Sequence, residues 1–380
     1  MNPAGVGVGA AAVGQGDGGG IGALVAERSM VVCCGPGGVG KTTVAGALAV
    51  DAARQGRRSV VVTIDPARRL ADAMGLGAGG LPDTPRLVAG DWPGELWALM
   101  LDSRSTFDSL VVKYAPDPQR AEAILANRFY RNVAGALSGT QEYMAMEKLF
   151  ELHDEGRFDL VVVDTPPTRN ALDFVDAPRR LTRFLENRVF RLLMMPARTS
   201  FRAVNVATQS VLRSVSRVVG SELVADAVAF FQAFEGMEDG FRQRAQRVRD
   251  LMGDPGTAFV LVSAPRGDAM DEAAFLADKL AEAAIPVAAL VVNRVHPRFA
   301  PASATAAGYR RRAAEHDGSP LGGLYSNLAD LTALADDEAA HVASLAERIG
   351  RVPVASVPLL ASDVHDLAGL AEVGAYVVAG

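Results

Sequence analysis

The chain has 380 residues, of which 49% are hydrophobic and 22% are charged, so it can bury a large core in one large domain or two smaller ones. Its net charge is −6 and its basic residues are scattered among acidic ones, which disfavours nucleic acid as a partner. The two cysteines are adjacent and the five histidines lack ligand spacing, so we expect neither a disulfide between the cysteines nor a bound zinc ion.

The chain begins with a glycine-rich segment, MNPAGVGVGAAAVGQGDGGGIGALV, which lacks the basic start and long apolar core of a secretory signal. It predicts a flexible tail over residues 1–27, followed by a folded domain over residues 28–380. No apolar run approaches the roughly 20 residues that span a bilayer. We therefore expect a cytoplasmic protein.

Seven short runs rich in Val and Ile alternate with segments of helical pattern. Near-continuous apolar strands separated by helices predict a mostly parallel sheet flanked by helices on both faces, an α/β fold. The runs are SMVVCC (29–34), SVVVTID (59–65), LWALML (96–101), FDLVVVD (158–164), AFVLVSA (258–264), PVAALVVN (286–293) and PVASVP (353–358).

A glycine-rich loop follows the first predicted strand and opens a predicted helix. The stretch GPGGVGKT, residues 35–42, fits the P-loop (Walker A) pattern G-x-x-x-x-G-K-[ST], and its flanking elements disfavour a chance match. In such a loop backbone N–H groups converge on phosphate, Lys41 bridges the β and γ phosphates, and the Thr42 hydroxyl ligates Mg²⁺. The predicted cofactor-binding residues are Gly37, Gly38, Val39, Gly40, Lys41, Thr42 and Thr43.

Two carboxylates end predicted strands. Asp65 precedes a proline and could polarise an attacking water near the γ phosphate, whereas Asp164 could reach the metal shell beside Thr42. Each is also compatible with capping the next helix. Arg68 and Arg69 follow closely enough to reach phosphate, although most such arginines are solvated charges on a helix face.

Asn293 ends another strand, where it can hydrogen-bond a base edge or cap a loop. A guanine-specific GTPase would have N-K-x-D at this place, whereas this chain has Asn293 followed by Arg-Val-His. Ordinary GTPase specificity is therefore disfavoured.

Residues 103–156 and 178–252 carry no strand signals and predict a helical subdomain inserted into the sheet domain. An apolar set within it recurs at helix-compatible offsets. That set could line a groove for a hydrophobic client, or form the core of the subdomain, which amphipathic periodicity usually indicates. Its members are Phe230, Phe231, Phe234, Met237 and Phe241.

Five motifs, in their order and spacing, resemble the arsenical-pump (ArsA) ATPase family over essentially the chain after residue 28. They are GPGGVGKTT, TIDPARRLADAMG, DTPPTRNALDF, VVNRV and VPLL. The family is a class of dimeric P-loop NTPases that includes arsenite-pump ATPases and the cytosolic ATPases that target tail-anchored membrane proteins. Within it, the chain most resembles the paired actinobacterial paralogues called anion-transporting ATPases.

The resemblance implies an ATPase that uses Mg-ATP. It implies Lys41 as a catalytic phosphate ligand, Asp65 as the water-orienting carboxylate, and Thr42 with Asp164 as metal-shell residues, the latter through water. It also implies that Asn293 and the loop at Pro358 surround adenine. Nucleotide would then close a dimer and rearrange a helical subdomain that docks a hydrophobic client or a membrane transporter.

Several positions depart from the family pattern. The cysteines lie inside the first strand, so the family's cysteine-based zinc and metalloid sites do not carry over. Arg68 replaces a usual histidine, and Pro36 replaces the lysine that reaches across the dimer to the partner's phosphates. Such a trans cation can raise the hydrolysis rate by orders of magnitude.

The missing lysine favours an asymmetric heterodimer. A paralogue that bears the lysine would complete this chain's site, whereas this chain would leave the partner's site without one. The alternatives are an ATP-binding scaffold or regulatory subunit that does not hydrolyse ATP, and a P-loop kinase, which would leave the switch motifs unexplained.

Overall fold

The computed structural model describes residues 20–64, 69–77, 80–133, 140–166, 226, 229–230 and 237–379. The chain divides into two compact units. The first consists of Met1–Met100, Gly156–Ala171 and Pro255–Gly380, and the second of Leu101–Glu155 and Leu172–Asp254.

A mostly parallel sheet forms the centre of the first unit. Its strands are β1 (Met30–Cys34), β2 (Arg58–Thr63), β3 (Arg86–Val88), β4 (Glu95–Met100), β5 (Leu160–Asp164), β6 (Thr257–Ser263), β7 (Val287–Val295) and β8 (Val354–Pro358). They lie in the order β3-β4-β2-β5-β1-β6-β7-β8, with β3 antiparallel to β4 and every other neighbour parallel. Each of the seven predicted runs forms a strand, which confirms the predicted α/β fold.

Strand β3 was not predicted from the sequence. It has three residues, of which Arg86 and Leu87 are exposed, and it pairs with β4 at the edge of the sheet. A half-exposed edge strand of this length has no apolar run to reveal it.

Helices connect the strands of the first unit. In chain order they are α1 (Ile21–Glu27), α2 (Lys41–Arg54), α3 (Arg69–Ala73), and, after the helices of the second unit, α9 (Gly267–Glu282), α10 (Ala306–Glu315), α11 (Pro320–Ile349) and α12 (Leu367–Val378). Apolar residues of α1, α2 and α12 form one buried cluster with side chains from one face of the sheet, including Val31 and Cys33. This cluster fixes the start of α2 against the end of β1, where the glycine-rich loop lies.

The expected end of the flexible tail at residue 27 is wrong. Residues 21–27 form α1, whose Ile21 and Val25 are fully buried. The pair lies four residues apart on one helix face and packs into the core cluster. The glycine-rich composition just before residue 21 concealed this short amphipathic pattern.

The described part of the second unit is helical. Its helices are α4 (Ser103–Tyr114), α5 (Pro118–Ala126), α6 (Arg128–Val133), α7 (Thr140–Asp154) and α8 (Glu238–Met252). Asp102 and Asp117 cap the N-termini of α4 and α5, and their carboxylates accept hydrogen bonds from backbone N–H groups of the first turn. The insertion bounds of 103–156 and 178–252 stay a prediction.

Two members of the predicted apolar set have described side chains, and both belong to the core of the helical unit. Phe230 is 7% exposed and Met237 is 1% exposed, and the Phe230 ring stacks on Tyr130 at 6.0 Å between centroids. Phe231, Phe234 and the side chain of Phe241 lie outside the described residues. In the described part of the chain, no helix is long and apolar enough to cross a bilayer.

Candidate active site

The loop between β1 and α2 requires glycine at two positions. Gly35 has φ +149° and a Cβ there would lie 2.0 Å from the carbonyl oxygen of Val262. Gly40 has φ +96° and a Cβ there would lie 2.1 Å from the side-chain nitrogen of Asn293. Both the backbone conformation and the close approach therefore exclude a side chain.

Lys41 opens α2 and its side chain is held within the loop. The residue is 5% exposed, and Nζ donates hydrogen bonds to the carbonyl oxygens of Gly35 at 3.1 Å and Pro36 at 2.9 Å. Thr42 and Thr43 follow in the first turn and are half-buried. A cation beside the N-terminal N–H groups of a 14-residue helix is suited to bind phosphate.

Asp164 lies beside the start of α2 at the carboxyl end of the sheet. It ends β5, between β2 and β1, in register with Thr63 on one side and Cys33 on the other. Its Oδ2 accepts hydrogen bonds from Thr42 Oγ1 at 2.8 Å and from Thr63 Oγ1 at 2.9 Å, and the residue is 1% exposed. The structure thus brings together the two residues predicted to form the metal shell.

Two hydroxyls of this site were missed in the sequence. Thr63 orients the Asp164 carboxylate, and Thr165 Oγ1 donates a hydrogen bond to the Cys33 carbonyl at 2.8 Å, which ties the residue after β5 to β1. Thr63 ends β2 and Thr165 directly follows β5, at the edge of the parallel sheet where polar side chains gather. This position was the one signal that could have revealed them.

The two cysteines do not supply a nucleophile. Burial raises the pKa of Cys34 to about 12. Burial, and next the charge of Asp164, raise the pKa of Cys33 well above its usual range. Both thiols therefore stay protonated near neutral pH, and thiolate chemistry has no place in this site.

The structure places Asn293 against the glycine-rich loop. Asn293 is 7% exposed, and its Nδ2 donates a hydrogen bond to the Val39 carbonyl at 2.9 Å. This contact corresponds to the loop-capping alternative. Pro358 ends the neighbouring strand β8, in register with Val295, and the Leu359 N–H donates to the Val295 carbonyl at 2.8 Å. The two residues predicted to surround adenine thus stand on adjacent strand ends.

Asp65 and Arg68 lie outside the described residues, so the water-orienting role of Asp65 stays a prediction. Arg69 begins the short helix α3. Gly37 and Gly38 form the exposed crest of the loop, and Val39 is buried.

The donor set fits Mg-ATP. The loop offers backbone N–H groups and one ammonium for phosphates, and Gly35 and Gly40 let its backbone pack closely against Val262 and Asn293. Hydroxyl and carboxylate oxygens at Thr42 and Asp164 are ligands suited to Mg²⁺ or to its bound water. The residues present therefore match the cofactor chemistry expected from the sequence.

The chain is similar in sequence to known ATPases. The family model described as "Anion-transporting ATPase" matches residues 28–315. An uncharacterised protein of Streptomyces coelicolor is 29% identical over 275 residues, which cover 72% of this chain and 64% of that protein. An ATPase ASNA1 homolog of Paramecium tetraurelia is 27% identical over 69% of this chain and 74% of its own length. The ATPase GET3 of Malassezia globosa is 25% identical over 70% of this chain and 72% of its own.

The family match starts before the glycine-rich loop and continues past Asn293, so it covers the described site residues except Pro358. It agrees with the resemblance read from the sequence motifs. The chain belongs to the anion-transporting ATPase family, a family of ATPases that use ATP with Mg²⁺.

Proposed function

We propose that this chain is an ATPase subunit whose own site binds Mg-ATP and hydrolyses it to ADP and phosphate. The observation that carries the proposal is the contact of Thr42 Oγ1 with Asp164 Oδ2 at 2.8 Å, beside a buried Lys41. It joins the start of the loop helix to the end of β5, and the two motifs are 122 residues apart in the chain. Lys41 holds the phosphates, and Asp65 orients the attacking water.

Each residue at the metal side has a distinct task. Mg²⁺, when bound, neutralises phosphate charge and orients the transferred group. Thr42 would supply a hydroxyl ligand to Mg²⁺, and Asp164 would accept hydrogen bonds from water around the ion. Thr63 keeps the Asp164 carboxylate in one orientation, because its hydroxyl donates to the oxygen that Thr42 also contacts.

We assign Asn293 and Pro358 to the binding site of the adenine base of ATP. Support comes from their position on adjacent strand ends, next to the loop. Ligands of open α/β sheets bind in the crevice outside the carboxyl ends of the strands.

The subunit acts in a heterodimer with a lysine-bearing paralogue, in the cytoplasm or at a membrane through a partner. Support comes from Pro36, which has no side-chain donor at the place where the family has a lysine. ATP-driven rearrangement is transmitted to the helical subdomain, which docks a hydrophobic client or a transporter. Because Phe230 and Met237 are buried, the docking surface must consist of other residues.

Pro36 also favours a second function, a scaffold or regulatory subunit that binds ATP without hydrolysing it. Replacing Asp65 by Asn distinguishes the two functions. In the reconstituted complex, Asp65→Asn should lower ATP turnover by at least about a hundredfold and leave ATP affinity within about threefold, because the amide cannot act as a base. The control Lys41→Ala should instead weaken ATP binding. Unchanged turnover in Asp65→Asn would favour the scaffold.

A further inference from the structure

Two consecutive residues at the end of β7 contact two consecutive carbonyls of the glycine-rich loop. Asn293 Nδ2 donates to the Val39 carbonyl at 2.9 Å, and one guanidinium nitrogen of Arg294 donates to the Gly38 carbonyl at 3.2 Å. Asn293 is buried, whereas Arg294 is exposed. The sequence offered no role for Arg294 beyond the absence of a GTPase motif.

The backbone at Arg294 is strained. Its φ is +65°, and the pairing of β7 with β8 shifts between Asn293 and Val295, which marks a bulge. A non-glycine residue in this region is disfavoured, and glycine would relieve the strain at no steric cost. Bulges re-aim side chains next to active sites. An arginine at this position is therefore best explained by what its side chain contacts.

Those two hydrogen bonds fix the orientation of two peptide groups. A peptide group is planar and trans, so its C=O and N–H point in opposite directions. Holding the Gly38 and Val39 carbonyls toward β7 turns the N–H groups of Val39 and Gly40 to the other side of the loop. P-loops bind phosphate oxygens through such backbone N–H groups.

We propose that Arg294 is a positioning residue of the ATPase site, which presents the Val39 N–H to the bound phosphates while Asn293 does the same for Gly40. The inference rests on the proposed function, since it assumes that this loop binds Mg-ATP. It predicts that Arg294 acts on phosphate affinity and leaves base selection unaffected. A lysine can replace it in part, because one donor suffices for one carbonyl.

Variants at position 294 separate the effect of the side-chain donor on phosphate binding from the effect of the backbone strain. Arg294→Ala removes the donor and keeps the strain, Arg294→Gly removes both, and Arg294→Lys keeps a cationic donor. Ala284→Gly is a matched control, because Ala284 has φ +60° in an exposed turn outside the site. Arg298→Ala is a second control, because Arg298 contacts Asp336 and nearby carbonyls.

The measurement is binding of Mg-ATP, Mg-GTP and Mg-tripolyphosphate to the full-length protein, with tripolyphosphate serving as the probe that has no base. Arg294→Ala and Arg294→Gly should weaken binding of Mg-ATP and Mg-tripolyphosphate alike, by roughly tenfold, because a misoriented Val39 N–H loses its hydrogen bond to a charged phosphate. Arg294→Lys should stay within about threefold of the unmodified chain. The ratio of ATP to GTP affinity and both controls should not change.

Two results would overturn the inference alone. The first is full Mg-ATP affinity in Arg294→Gly while binding still depends on Lys41. The second is a loss of Mg-ATP affinity without a loss of Mg-tripolyphosphate affinity. Binding of Mg-ATP that Lys41→Ala leaves intact would overturn the proposed function as well. If Arg294→Ala fails to fold, the comparison of the glycine and lysine variants decides the question.

Discussion

At the scale of single residues, the site is organised around one carboxylate oxygen. Oδ2 of Asp164 accepts hydrogen bonds from hydroxyls on α2 and β2, which belong to different parts of the sequence. Asp164 was predicted because it ends an apolar strand. Thr63 was not predicted, because its role depends on β5 lying beside β2. No local sequence pattern specifies the order of strands in a sheet.

Thr63 offers a test of this arrangement. Thr63→Val removes the hydroxyl and nearly keeps the shape, so the Asp164 carboxylate loses one of the donors that orient it. We expect apparent Mg²⁺ affinity in ATP turnover to fall by about tenfold, in the range typical of outer-shell changes at metal sites. A titration of turnover with Mg²⁺ at saturating ATP measures this.

Thr63→Ser is the control, because it restores the donor and should return the Mg²⁺ midpoint to within about threefold of its original value. Equal Mg²⁺ dependence in Thr63→Val and the unmodified chain would show that the Thr63 hydroxyl does not matter for the metal.

At the scale of elements, the buried strands were predictable and the marginal elements were not. Strands β1 and β5 are buried at every position, and a continuous Val-rich run is the direct signature of burial on both faces. Helix α1 has seven residues and β3 has three, so neither gives a long periodic pattern. Their formation depends on packing against elements far away in sequence.

Helices α7 and α8 are joined by a buried ion pair. Arg244 Nε contacts Glu147 Oε1, with side chains 5% and 2% exposed, and the guanidinium lies 3.9 Å from the centroid of the Phe150 ring. Burial raises the pKa of Glu147, and the nearby charge of Arg244 opposes this. The ionised form of Glu147 inside the helical unit is therefore stabilised by the charge of Arg244.

Removing one partner should destabilise the helical unit strongly. Arg244→Met leaves a buried carboxylate without its cation, which costs about 3 to 5 kcal/mol, whereas the double change with Glu147→Leu should recover most of the loss. Urea unfolding followed by circular dichroism measures the free energy of unfolding of the single and the double variant. Amide exchange in α7 and α8 reports the stability of these two helices.

A solvent-exposed ion pair provides the matched control for that experiment. Arg348 contacts Asp278 at 2.6 Å with side chains 54% and 48% exposed, so Arg348→Ala should leave the unfolding midpoint unchanged. If Arg244→Met behaves like Arg348→Ala, the buried pair does not hold the two helices together.

At the scale of the whole molecule, sequence motifs and structure give different kinds of information. The structure assembles the loop, Thr42 and Asp164 from motifs that were separate in the chain. Asp65 and Arg68 lie outside the described residues, so the hydrolytic step still rests on sequence alone. Pro36 indicates only that this chain lacks the family's lysine. The identity of a partner that supplies such a lysine cannot be read from this sequence.

Pro36→Lys tests whether the missing lysine limits the assembly. Pro36 is buried, and its carbonyl accepts a hydrogen bond from Lys41 Nζ at 2.9 Å, which a change of side chain retains. A lysine here should reach the opposing subunit and raise hydrolysis at that site by at least about tenfold, since a trans cation stabilises charge that develops in phosphoryl transfer. Turnover of the purified complex, with this chain's own site silenced by Asp65→Asn, reports the opposing site alone.

Pro36→Ala separates charge from loop stiffness, because it removes the ring without adding a cation. Faster turnover in Pro36→Lys but not in Pro36→Ala would assign the effect to charge and establish that this chain leaves its partner's site uncompleted. Equal turnover in all three chains would mean that the opposing site needs no lysine from this subunit. The asymmetry inferred from Pro36 would then have no functional consequence, and the sequence-based argument for a heterodimer would lose its support.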